Sequence, residues 1–223
     1  MAVITISRES GARGSYIGRK LAEKLGYLYV DRELIHEVSL EYGVRQDEFE
    51  RIYEQAPGIL ERYDRRNREI VGLLGRAIQG LARRDNVIIA GRGSFVVLRD
   101  FADVLNVRVT AARSVRIRRI QQDHNLQEQE ARATLDRLDS ERSKYIRAYH
   151  GLNWADAGLY DLCVNTSKLD VDQAIELVLQ TLKFLEESRD ADRPLVRDLE
   201  ADPILDKAID EALNLLEATA RAT

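Results

Sequence analysis

The sequence predicts an α/β protein in three layers, a parallel sheet with helices on both faces, and three observations predict it. Apolar runs of strand length alternate with helical patterns: Val3–Ile6, Tyr27–Asp31, Val87–Ala90, Val104–Val109 and Tyr160–Asn165. The first run feeds a small-residue loop, Ser7–Ser15, that opens a helix. The third run ends in Gly91-Arg92-Gly93, at the strand edge where open α/β sheets bind ligands.

Val3–Ile6 has the length and apolarity of a buried parallel strand. After its loop, Ile17, Leu21, Ala22 and Leu25 give a helix one apolar face, and Gly26 stops it. Strand, glycine loop, helix and strand form the opening of a phosphate-binding domain. Glycines let backbone N–H groups converge on an anion, and the helix N-terminus adds about half a positive charge. The strict phosphate-loop pattern G-x-x-x-x-G-K-[ST] is absent. With Ser15 at its hydroxyl position, Gly14 stands at the lysine, and the nearby cations are Arg8, Arg13, Arg19 and Lys20. A plain tight turn is the alternative at this point.

Arg32 to Leu40 continues as helix with Leu34, Ile35 and Val38 on one side. Residues 41–66 are charged and tyrosine-bearing, broken at Pro57-Gly58, and read as a small helical insertion. Asn67–Arg84 carries a broad apolar stripe. Arg92 offers a planar fork for phosphate oxygens between two glycines that admit a ligand; a structural arginine at a helix start is the other reading. Val104–Val109 alternates more than the earlier strands. Arg113–Arg119 packs four arginines into seven residues, read equally as an anion site or a solvated face. Asn125–Tyr149 is a long helix, thinly apolar, that reads as a mobile arm or partner surface. Cys163 reads as a core thiol. In the helix from about Asp170 to Glu187, residues Ala174, Ile175, Leu177, Val178, Leu182 and Leu185 are expected to pack inward. Ser188–Pro194 reads as a linker before an amphipathic helix with Ile204, Leu205, Ile209, Leu213 and Leu216. That helix can dock on the body, pair with a second copy as a homodimer, hold a protein partner, or remain partly free.

The 223 residues are enough for one domain with an insertion or tail. A net charge of −4 argues against bulk binding of nucleic acid or anionic membrane. The single cysteine excludes an intrachain disulfide and fits a reducing compartment. No apolar run approaches membrane-spanning length, and charges come too early for a signal peptide, so a cytoplasmic location is expected. His36, His124 and His150 show no ligand spacing.

With these stretches in place, the chain resembles the cytidylate kinase-like family of the P-loop nucleoside monophosphate kinase superfamily. The residues that carry the resemblance are Ile4–Glu9, Gly11–Leu25, Val30–Ile35, Ala90–Gly93, Val115-Arg116, Asp139-x-x-Arg142, Gly151-x-x-Trp154 and Tyr160–Thr166, in that order. The resemblance implies a P-loop NTPase-like core over residues 1–187, with a monophosphate-binding insertion at 41–84 and a lid at 123–157. It leaves 188–223 as linker and tail helix. It implies transfer of the ATP γ-phosphoryl to a nucleoside monophosphate such as CMP or dCMP. By position, Gly11, Ala12, Arg13, Gly14, Ser15 and Tyr16 would cradle ATP, and Ser15 would touch Mg²⁺. Asp31, Gly91, Arg92 and Gly93 would lie on the acceptor side. Arg13, Arg116, Arg142 and Arg137 would neutralise charge in the transition state. The chain departs from the family at Gly14, in place of the loop lysine, and at Gly93, in place of an aspartate. A non-catalytic nucleotide-binding module is the competing class, favoured by the missing lysine; the retained arginines favour the kinase.

Overall fold

β1 (Val3–Arg8) is the axis of the sheet, because its side chains are buried from Val3 to Ser7 and both its edges are paired. In the computed structural model, which describes residues 2–54, 64–91, 93–188 and 190–222, β1 lies between β3 (Val87–Ile89) and β4 (Val104–Thr110). β2 (Leu28–Val30) and β5 (Leu162–Asn165) form the edges, giving the all-parallel order β2-β3-β1-β4-β5. Val3 pairs with Val87 on one side and Val104 on the other, so the three strands start level; β3 ends at Ile89 opposite Thr5, while β1 and β4 run on together to Arg8 and Val109. Parallel neighbours require crossovers, and helices supply them on both faces.

One face is covered by α1 (Gly14–Leu25) and α8 (Val171–Glu187). Ile17 and Leu21 meet Ile4, Ile6 and Val107 there, with Ile175 and Val178 alongside. The other face is covered by α2 (Arg32–Glu41), α4 (Arg65–Arg83) and α5 (Ser94–Leu98), with α3 (Gln46–Glu54) against α2 and α4. Gly26 ends α1 in the left-handed conformation expected of a glycine stop. Asp64 caps α4 by accepting from the Asn67 N–H at 2.9 Å. The expected break at Pro57-Gly58 lies outside the described residues.

Several expectations are corrected. β4 does not alternate: Asn106 and Arg108 are as buried as their apolar neighbours, because each has partners in the interior. Thr5 donates to the Asn106 side chain at 2.7 Å, and the Asn106 N–H reaches Asp161 at 2.7 Å. Cys163 is exposed, since β5 is an edge strand and its residue 163 faces outward. Leu177 is also exposed, about 100° around the helix from Val178. The long polar helix α7 (Glu128–His150) is no free arm: Ala131 and Leu135 pack on Ile117 and Ile120 of α6 (Arg113–His124).

The tail docks on the body. α9 (Pro203–Ala222) lies against α2 and α4, burying Leu205, Ala208, Ile209 and Ala212. Ile204, expected on that face, is exposed. Gly80 of α4 makes the close approach possible, since a Cβ there would meet the Leu205 side chain at 2.7 Å. Arg83 holds Asp206, Tyr42 donates to Asp202, and Asp103 accepts from the Val196 N–H at 2.9 Å. Ile209→Ala is expected to cost about 2–5 kcal/mol in urea unfolding, by removing methylenes from a fully buried site. An unchanged midpoint would show that α9 contributes little to the fold.

Candidate active site

The carboxyl end of β1 delivers the chain into a loop whose backbone is committed to unusual conformations. Gly11 has φ +74°, and a Cβ there would sit 2.7 Å from the Arg116 carbonyl oxygen, so only glycine fits. Arg13, at the N-cap of α1, is left-handed at φ +69° and makes no side-chain cap. The first turn of α1 therefore keeps N–H groups of Gly14, Ser15 and Tyr16 without intrahelical partners, and has no acidic residue. That is the physical requirement for holding phosphate.

A cavity of about 350 Å³ opens over this turn, lined by the loop from Arg8 to Tyr16 except Ala12. Asp123 and His124 at the end of α6 and Thr134, Leu138 and Arg142 of α7 close its far side. A smaller cavity of about 30 Å³ adjoins the rim, lined by Ser7, Gly91, Gly93, Phe95, Ile146 and Trp154. Arg8 and Arg142 line both.

The loop is anchored by buried charge. Arg116 bonds the carbonyls of Ala111 and Ser10 at 3.0 and 3.3 Å, pairs with Glu9 at 3.3 Å, and pairs with Asp139. Asp139 also accepts from the Ser10 N–H at 3.0 Å. Arg108 donates to the Trp154 carbonyl at 2.7 Å, lies 4.5 Å from the Trp154 ring centroid, and reaches Glu9 at 3.4 Å. Loop, sheet and the Trp154 segment thus share one network.

The expected site residues separate into groups. Gly11, Arg13, Gly14, Ser15, Tyr16 and Arg142 come together around the larger cavity. Arg13 lines it, paired with Asp123, another lining residue, at 2.9 Å. Ala12 is buried beneath the loop, its carbonyl accepting from Thr166 at 3.0 Å. Gly91 and Gly93 line the smaller cavity, whereas Arg92 lies outside the described residues. Asp31 caps α2, accepting from the Glu33 and Leu34 N–H groups, and burial raises its pKa. Arg116 faces inward into the network. Arg137 is not brought to the cavity: its side chain is exposed and pairs with Glu141 at 3.0 Å along α7. Two residues missed as site candidates are Arg8 and Arg108. An arginine inside a strand with no other charged residue was the available signal for Arg108, since such a charge must be paired inside.

His150 ends α7 beside Gly93, where a Cβ at position 93 would come within 3.1 Å of its Nε2. Burial pushes the imidazole pKa below 6.5, so the fold holds it neutral. Its stabilisation is complete above the unfolded value near 6.5 and falls as pH drops toward the lower folded value. His150→Asn is expected to flatten that acid slope in thermal melts taken from pH 7 to 5; an unchanged slope would contradict this.

The five-stranded parallel sheet, its strand order and the loop at the α1 N-terminus define the α/β fold of P-loop kinases. A gluconokinase from Sinorhizobium meliloti superposes with a TM-score of 0.51 at 16% identity, covering 83% of this chain and 94% of that one. An uncharacterized protein from Eubacterium ventriosum superposes with a TM-score of 0.66 at 22% identity, covering 82% and 99%. The cytidylate kinase-like family model matches residues 3–168, and the chain belongs to that family. Among its relatives, a cytidylate kinase of Pyrococcus furiosus is 30% identical over 191 residues, 85% of this chain and 92% of that protein. A cytidylate kinase of Halobacterium salinarum is 25% identical over 189 residues, 84% and 93% of the two chains. No helix among the described residues is long and apolar enough to cross a membrane.

Proposed function

We propose that the protein transfers the γ-phosphoryl group of ATP to a nucleoside monophosphate of the CMP or dCMP class. The observation that carries this reading is the sharing of Arg8 and Arg142 by the two adjoining cavities, one over the phosphate loop and one at the Gly91–Gly93 rim. A group in flight between donor and acceptor would pass between two cations.

The triphosphate would rest on the free N–H groups of the α1 first turn. The monophosphate would lie toward Gly91, Gly93 and Trp154. An acceptor phosphate oxygen attacks the γ-phosphorus, the bond to the β,γ-bridging oxygen breaks, and ADP leaves with that electron pair beside a nucleoside diphosphate. No covalent protein intermediate is required, so the chain's task is positioning and charge neutralisation. Mg²⁺ would take the Ser15 hydroxyl, which lines the loop cavity, as one oxygen ligand, with phosphate oxygens and waters ordinarily supplying the others. When bound it would neutralise charge on the phosphate oxygens.

The test is ATP consumption with Mg²⁺ against CMP, dCMP, UMP, AMP and GMP, beside calorimetric binding of each. Turnover with CMP or dCMP is expected. Binding of ATP without turnover on any acceptor would replace this reading with a nucleotide-binding module.

A further inference from the structure

We propose that Arg8 is the phosphate-binding cation of this loop, doing from the end of β1 what a lysine at position 14 would do from α1; the proposal rests on the kinase reading above. Counted back from Ser15, the pattern G-x-x-x-x-G-K-[ST] places glycines at 8 and 13 and lysine at 14. This chain has Arg8, Arg13 and Gly14 there. The cation and the glycine have exchanged places.

The exchange is steric. A Cβ on Gly14 would lie 2.4 Å from the Arg8 Cβ, 3.0 Å from its Cγ and 3.2 Å from the Val109 Cβ. The stem of Arg8 fills the space a side chain at 14 needs, so the two positions can hold one long side chain between them. Arg13 does not compensate, because it takes the left-handed backbone of the missing glycine and its guanidinium is already paired with Asp123 at 2.9 Å.

The head of Arg8 is placed for an anion. Its Nε donates to the Ser15 hydroxyl at 3.1 Å, which turns the guanidinium toward the hydroxyl of the α1 first turn. Its two terminal nitrogens have no acceptor, and no carboxylate pairs with it, among the described residues. Arg108, Arg116 and Arg13 in the same region each have a carboxylate. A half-buried arginine left without an anion, lining both cavities, matches two oxygens of a terminal phosphate of a nucleoside triphosphate.

The experiment compares wild type with Arg8→Gln, Arg8→Gly, Gly14→Lys and the double variant Arg8→Gly/Gly14→Lys. Each is assayed for ATP turnover with CMP and for ATP and AMP affinity by calorimetry, with a thermal melt as the folding control. Arg8→Gln is expected to lower turnover by ~100-fold and to shrink the preference for ATP over AMP by ~10-fold. Gly14→Lys alone is expected to be impaired by the clash. The double variant is expected to recover at least ~10-fold in turnover over Arg8→Gly, which a merely structural role of Arg8 would not produce. Arg8→Gln within about threefold of wild type in both turnover and ATP preference would overturn the proposal. If the wild type turns over no acceptor, the kinase reading fails alone and the ATP-over-AMP preference of Arg8→Gln decides this one. If a glycine or double variant fails to fold, that same preference decides. Wild type that binds no nucleotide overturns both.

Discussion

Arg142→Ala is expected to lower phosphoryl transfer by about 10²–10³-fold while leaving ATP affinity nearly unchanged. The side chain comes from α7 and reaches across to the loop, donating to the Ser10 hydroxyl with Asp139 3.6 Å away. It borders the loop cavity and the smaller cavity together, so its charge sits where the transferring group would pass rather than where ATP is first held. An interaction made only in the transition state lowers kcat and kcat/KM equally. An equal fall in ATP affinity would instead make Arg142 a ground-state phosphate ligand. Arg142→Lys is expected to recover little, because a point charge does not reproduce a planar fork.

Arg116→Ala is expected to act on the fold instead, costing about 3–5 kcal/mol. Its guanidinium is buried, pairs with Glu9 and Asp139 and holds the Ala111 and Ser10 carbonyls, so removing it empties a buried site and leaves Glu9 only Arg108 at 3.4 Å and Asp139 only Arg142 at 3.6 Å. For a chain of this size the fall in Tm is about 6–20 °C. Arg116→Lys is expected to restore part of it, since one charge returns but the fork of hydrogen bonds does not. A variant with unchanged Tm and a collapsed kcat would assign Arg116 to the chemistry and contradict the network described here.

These two arginines show where sequence reasoning reached and where it stopped. Residue type and order were enough for the strands, for α1 with its Gly26 stop, and for the glycine loop, because those are local signals of period, apolarity and backbone freedom. The arginine cluster at 113–119 read equally as anion site or solvated face, and only packing shows Arg116 turned inward while Arg113 pairs with Asp136 at the surface. Arg137 and Arg142 lie five residues apart on α7, about 140° around the helix, so they cannot both face the loop. Arg8 was visible as a nearby cation. Its relation to Gly14 was not, because that depends on a Cβ-to-Cβ approach between strand end and helix start. The docking of α9 was equally hidden, since its apolar stripe fits a body, a second copy or a partner alike.

If the loop and rim cavities form one phosphoryl-transfer site, label from γ-³²P-ATP passes into nucleotide product. Wild type and Arg142→Ala are incubated with Mg²⁺ and CMP or dCMP, and the nucleotides are separated by chromatography. One shared site predicts labelled CDP or dCDP with the wild type and a loss of about 100-fold or more with Arg142→Ala at equal ATP occupancy. Label that stays in ATP with the wild type, at nucleotide concentrations shown to saturate binding, would contradict it.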